Sequence, residues 1–314
     1  MGCNSVSLLN YIFRFLLLTP CIYFLYFPFK YNLDYMNYFH DYENSLFSYD
    51  FLYEWLSYLI KVLFDLNFND YWLLLMFFQI ALMAIVYNRF VLLLLAYPII
   101  ISLSQFLYGT QVRYSISILF LLISIRLINR NFKAFPTILI PILFHYGMAI
   151  LALLFIFSRK LNYHYLIINK AKGFLLLISS IMLINLVVLN IESIIQFTRF
   201  KYYIGSDSYL GNKSWSSILF IFVFLALLLY GIKVNVSYRI PIVKLSIIIL
   251  VFCLSTSSIA ILSGRALLVF LVISPILIYE LFRISKLNLY TALLLILYII
   301  MNISFYIKNN YYFY

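Results

Sequence analysis

Charge is what this chain has least of. Only 10% of its 314 residues are Asp, Glu, Lys or Arg, and acids number 10 against 22 bases. A soluble domain cannot cover a chain that is 66% hydrophobic and 20% aromatic with so few polar side chains. Cysteine is scarce too. Cys3, Cys21 and Cys253 stand far apart and lack metal-ligand spacing, which argues against a disulfide framework and against a zinc site. No internal repeat is visible, so a transporter built from two similar halves gains no support. The excess of positive charge, +12 in all, forms no stripe interleaved with base-stacking aromatics, and nucleic acid is not an expected partner. No metal or other cofactor is expected.

What the chain has is long apolar runs. Residues 90–104, 173–191, 216–232, 245–262, 266–282 and 287–307 are nearly uncharged and long enough to cross about 30 Å of hydrocarbon. They are apolar on every face, whereas barrel strands would alternate. The expected fold is therefore all-α, a single polytopic membrane domain over 1–314 with about ten spans. These fall near 8–27, 71–88, 90–107, 112–128, 134–157, 173–191, 216–232, 245–262, 266–282 and 287–306. Pro20 beside Cys21 speaks against lipoprotein processing, so the first run is expected to be retained as a span.

The few acids are concentrated. Asp34, Asp41, Glu43, Asp50, Glu54, Asp65 and Asp70 all lie between the first two spans, with only Lys30 and Lys61 as cations. The positive-inside rule then places residues 29–70 outside the cytoplasm. Within them, "DFLYEWLSYLIKVLFDL" spaces Glu54, Lys61 and Asp65 onto one helical face, as expected of a helix lying on the membrane surface. Further on, Arg126, Arg130 and Lys133 mark an inner loop, and Arg159, Lys160, Lys170 and Lys172 resemble a second. Only one run, 134–157, separates them. Pro136, Pro141 and Gly147 around His145 are what a broken helix uses, and a re-entrant segment there would leave both clusters inside. That version also leaves 192–215 and a turn at Ser263–Arg265 outside.

Against this background a few polar residues stand out. Arg113, in "YGTQVRY", joins two spans at an expected outer turn, where positive charge is disfavoured. A snorkelling arginine is the plain reading, and an anionic partner, phosphate above all, is the chemical one. His145 is either a buried neutral imidazole or a proton carrier and donor to a leaving phosphate. The stretch 192–215 mixes Arg199 and Lys201 with Tyr202, Tyr203 and Trp215, as a solvated connector or as a surface that holds sugar rings. Arg265 heads another apolar run after Ser263 and Gly264. In the first loop Asp34 and Tyr38 are four apart, so a helix aligns them, and a carboxylate there could orient or deprotonate a sugar hydroxyl.

The order "NLDYMNYFHDY", "YDFLYEWLSYLI", "TQVRYSISILFLLISI", "LFHYGMAIL", "TRFKYY", "LSGRALLVF" resembles the EpsG family of bacterial polysaccharide proteins, similar in role to Wzy-type O-antigen polymerases. The family's motifs fall here on Asp34 and Tyr38, on Asp50, Tyr53 and Glu54, on Arg113, and on Phe144 and His145. The family often carries a Glu-Pro-Gly-Tyr-like stretch where this chain reads "YDFLYE", which leaves open whether Asp50 or Glu54 takes the acidic role.

The resemblance implies a glycosyltransferase that polymerises undecaprenyl-pyrophosphate-linked oligosaccharide repeats at the periplasmic face of the bacterial inner membrane. Arg113, His145, Arg199 and Arg265 would serve catalysis, and Asp34, Tyr38, Asp50, Glu54 and Tyr203 would bind substrate. Membrane lipids, a chain-length regulator and a flippase are the implied partners. The rival readings are a membrane glycosyltransferase using a polyprenyl-phosphate sugar and a lipid-linked glycan flippase. The former often needs a divalent ion, yet the first loop has no Asp-x-Asp pair. The latter would be expected to be longer and to have two similar halves.

Overall fold

The computed structural model describes residues 3–25, 33–160, 215–233, 241–257, 259–285 and 289–310. Among them the chain is helical, with no strands. It divides into two compact units, Met1–Ala152 with Asn302–Tyr314, and Leu153–Met301.

The first unit opens with α1 (Cys3–Leu18), a 3-10 turn at Thr19–Cys21 where Pro20 interrupts the helix, and α2 (Ile22–Leu25). Then come α3 (Leu33–Asn44), α4 (Phe51–Phe64), α5 (Phe68–Val86) and α6 (Phe90–Ser102). Asn67 caps α5, its side chain accepting the Asp70 N–H at 3.0 Å. A π-helix over Ser104–Thr110 follows α6 at an angle of 88°, beyond Pro98. The Leu103 carbonyl accepts from both Leu107 N–H and Tyr108 N–H, which is how the wider turn is closed. This bend delivers the chain into α7 (Val112–Arg130), with Arg113 in its first turn.

Helices α5 and α7 form the centre. Trp72, Leu75, Met76, Ile80 and Met83 on one, and Ile116, Leu119 and Ile125 on the other, are buried. A polar clasp lies between them. Ser115 Oγ donates to Gln79 Oε1, and Gln79 Nε2 donates to the Tyr108 carbonyl at 3.0 Å. In an apolar interior such groups persist only when paired. At the far ends of these helices Arg14 donates to the carbonyls of Ala84 and Asn88, at 3.1 and 2.9 Å, and Arg126 to that of Ile85 at 3.2 Å. Cations thus gather at one end of α5 and α7, where the C-terminal carbonyls of α5 are open to them. The acids of residues 34–54 gather at the other.

After α7 come a 3-10 stretch (Phe132–Ile138), α8 (Leu139–Phe144) and α9 (Met148–Lys160). The expected run at 134–157 is therefore broken, and the break falls at His145, whose backbone is extended (φ −157°, ψ 107°). The second cationic cluster beyond it, Lys170 and Lys172, lies outside the described residues, as do the expected span 173–191 and the loop 192–214.

In the second unit α10 (Trp215–Lys233), α11 (Pro241–Ser255) and α12 (Ala260–Ser285) precede α13 (Leu289–Asn310), most of which belongs to it. Phe224 and Phe270 meet edge to face at 5.0 Å between α10 and α12. The expected turn at Ser263–Arg265 is not a turn. The earlier helix ends at Ser255 and α12 begins at Ala260, where Ser263 Oγ donates back to the Cys253 carbonyl at 2.6 Å and ties the new helix to the old.

Five described helices are long and apolar enough to cross a membrane: Leu8–Leu25, Phe68–Val86, Val112–Arg130, Ile261–Ile284 and Leu289–Ile307. The bent pair Phe90–Thr110 makes a sixth if it counts as one span. The chain is a multi-pass membrane protein. Other expected spans appear as shorter apolar helices, among them Ser217–Tyr230 and Pro241–Ser255.

Candidate functional site

A cation in the first turn of a helix faces the positive end of its macrodipole, the wrong place for it. Arg113 stands there on α7, with 18% of its side chain exposed. Its setting answers the conflict. Nη1 forms an ion pair with Asp50 Oδ2, and Nε donates to the Tyr38 hydroxyl at 3.0 Å. The guanidinium lies 3.9 Å from the ring centre of Tyr49, 5.4 Å from that of Tyr38 and 5.7 Å from that of Tyr53. Contacts of a desolvated cation with aromatic faces contribute on the order of 2 kcal/mol. The anion beside Arg113 in the folded chain is a carboxylate of the same chain. A buried charge must be matched, and Asp50 matches it.

Asp50 ends the turn between α3 and α4. Its backbone carbonyl accepts the Glu54 N–H at 3.0 Å, and its Oδ1 accepts the Tyr146 N–H at 3.0 Å. Tyr146 reciprocates, its hydroxyl accepting the Phe51 N–H at 3.3 Å. One carboxylate thus ties the first loop to α7 and to the break before α9. Both of its oxygens are engaged, which makes it a poor general base and a good organiser.

His145 is 8% exposed and meets Tyr114 edge to face at 5.0 Å. Its Nδ1 accepts the Gly147 N–H at 3.0 Å. In the neutral imidazole the proton must then be on Nε2.

Asp34 and Tyr38 share a helix, α3, as their spacing predicts, and Tyr42 stands a turn further on. Asp34 is half-buried and within electrostatic reach of Tyr38 and Tyr49. Burial raises the hydroxyls of Tyr38, Tyr49 and Tyr53 above the ordinary tyrosine range, with Arg113 pulling each back. They act as neutral hydrogen-bonding groups and not as phenolates.

Glu54, Lys61 and Asp65 do not present one charged face. Glu54 is buried against Asp41, Lys61 Nζ donates to the carbonyls of Tyr42 and Glu43 at 2.6 and 2.9 Å, and Asp65 ends α4 in the left-handed conformation (φ 48°). Glu54 and Lys61 turn to polar partners inside the unit, while Asp65 stays exposed at the helix end. The outward face of α4 is instead apolar, with Phe51, Trp55, Leu59, Val62 and Leu63 exposed.

The fold thus brings together Asp34, Tyr38, Asp50, Glu54, Arg113 and the neighbourhood of His145. Arg265 stands half-buried near the start of α12 in the second unit. Arg199 and Tyr203 lie outside the described residues. The sequence marks Asp41 only as one of the clustered acids and does not mark Tyr49 or Tyr146. The signal for the two tyrosines is adjacency: Tyr49 precedes Asp50 and Tyr146 follows His145.

The EpsG family matches residues 11–314. The chain belongs to the EpsG family. That family is one of Wzy-like polymerases, so this EpsG protein is a transmembrane protein of polysaccharide biosynthesis. No curated protein and no solved structure matches it. The Asn-x-Asp-Tyr opening, the acidic-aromatic motif, the arginine and the histidine that carried the resemblance converge on the first unit's loop-and-helix cluster.

Proposed function

We propose that this EpsG protein joins polyprenyl-diphosphate-linked oligosaccharide repeats into a surface polysaccharide at the outer face of the bacterial inner membrane. The family match over residues 11–314 carries the reading, and the acid-rich cluster around Arg113 supports it.

The reaction needs a cation beside a lipid and a base beside a sugar. The acceptor hydroxyl oxygen attacks the anomeric carbon of the donor. The new glycosidic C–O bond forms as the bond to the diphosphate breaks, and the diphosphate leaves with the electron pair. The N–H groups of Arg113 not engaged by Tyr38 and Asp50 are assigned to that developing charge, as is Nε2–H of His145. Asp34, beside Tyr38, is assigned to orient the acceptor hydroxyl and take its proton. Asp50 holds the arginine in place. Arg199 and Arg265 are assigned to the diphosphate, and Tyr203 to a sugar ring, on sequence grounds alone. The flippase that delivers the repeats and a regulator of chain length are the expected partners.

The test is the glycan profile of a strain lacking the gene. A polymerase defect leaves the lipid carrier or lipopolysaccharide capped with a single repeat, whereas loss of a flippase leaves none. Full-length glycan in the deletion strain sinks the proposal.

A further inference from the structure

The turn joining α3 to α4, residues 45–50, has an improbable backbone. Ser45 (φ 50°) and Phe47 (φ 53°) both adopt the left-handed region without being glycine, at roughly 1 kcal/mol or more each. Such a turn keeps its shape only when its surroundings over-determine it.

Two carboxyl groups do that here. Asp41, on α3, accepts the Ser48 N–H on Oδ1 at 3.0 Å, and its backbone carbonyl accepts the Leu46 N–H at 3.2 Å. Glu54, in the first turn of α4, accepts the Tyr49 N–H on Oε1 at 2.7 Å. The two carboxyl groups line one small cavity, and each residue is only 5% exposed. Two carboxyls in one buried site do not readily ionise together, and a proton held between them removes the repulsion. The turn they hold ends in Tyr49 and Asp50, the ring and the carboxylate that fix Arg113.

We propose that Asp41 and Glu54 are a proton-sharing positioning pair that clamps residues 45–50, sets Tyr49 and Asp50 against Arg113, and makes that site pH-sensitive. Its consequence for glycan output rests on the polymerase reading; the clamp itself does not.

The charged and titratable groups facing Glu54 come from four helices. They are Asp41 and Tyr42 on α3, Tyr58 and Lys61 on α4, Tyr71 on α5 through Ser57, and Arg113 on α7. The charge of Lys61 is already engaged by the carbonyls of Tyr42 and Glu43. Burial, with Asp41 adding to it, lifts the Glu54 carboxyl from 4.5 to about 7, against the lowering pull of the Tyr49 N–H and Arg113. Because the folded value is the raised one, the clamp is tightest in acid. It weakens as pH climbs through about 7 and the shared proton departs, leaving two carboxylates in contact.

Hydrogen exchange of the purified full chain in lipid nanodiscs, at pH 6 and pH 8 with intrinsic rates divided out, tests this. Protection of the Ser48 and Tyr49 amides should fall about tenfold at the higher pH. Glu54→Gln, whose amide can donate to Asp41 without a titrating proton, should show the same protection at both. Asp41→Asn serves as the second variant; Glu54 stays buried and titrates there, so its response should be smaller and shifted to lower pH. Unchanged protection in the wild type overturns the proposal, as does a pH response that persists undiminished in both variants. Glycan ladders from cells grown at the two pH values give the second readout: wild-type chains should be shorter at the higher pH, while Glu54→Gln chains, whatever their length, should be the same at both. A clamp that responds in the protein, in a strain whose deletion leaves glycans intact, would keep this inference and overturn the polymerase reading.

Discussion

Asp50 and Arg113 lie 63 residues apart in the chain and form one ion pair at the entrance to α7. The pair supplies the negative charge that a cation in a helix's first turn lacks. It also joins the acid-rich turn to the central helix.

Removing one partner leaves the other charge buried and alone. Asp50→Asn or Arg113→Met should each lower stability by on the order of 3 kcal/mol. Thermal unfolding in detergent reads this. The double variant should lose clearly less than the sum, and additivity would show that the two do not act together.

The proposed mechanism uses His145 as a donor through Nε2. Nitrogen-detected spectra of labelled protein should show the Nε2–H tautomer at neutral pH, and an Nδ1–H signal would remove the donor role. His145→Gln, which retains an N–H at similar reach, should keep part of the glycan ladder, while His145→Phe should abolish it.

Ser115 bonds Gln79 in the apolar interior between α5 and α7. Ser115→Ala strands the Gln79 oxygen and should cost about 1–3 kcal/mol of stability. Glycan length per molecule of folded protein should not change, so abundance and ladder together distinguish this from a site effect.

A re-entrant 134–157 would keep Arg159, Lys160, Lys170 and Lys172 on the cytoplasmic side. A single cysteine introduced at residue 165 should then resist a membrane-impermeant reagent in intact cells and react after lysis. Reaction in intact cells would put that loop outside.

Much of the fold was legible from the chain itself. Where a run was apolar and long, as in α5 and α7, the helix stands near its expected limits, because hydrophobic length decides whether a segment can span. Breaks were legible only where proline or glycine marked them. The interruption at His145 was expected from Pro141 and Gly147, but the start of α12 was not. There a serine hydroxyl, Ser263 on the Cys253 carbonyl, ties the new helix to the old, and no local pattern announces it.

The candidate site divides in the same way. That Arg113, Asp34, Tyr38, Asp50, Glu54 and His145 stand out follows from the sequence, since polar groups in so apolar a chain need a reason to exist. Their pairing is a tertiary fact. Composition could say that a buried guanidinium requires an anion, but only the folded arrangement of α3, α4 and α7 made that anion Asp50. Likewise only the left-handed turn at 45–50 brought Asp41 and Glu54 into contact, because pairing over such distances depends on how helices pack and not on how residues are spaced.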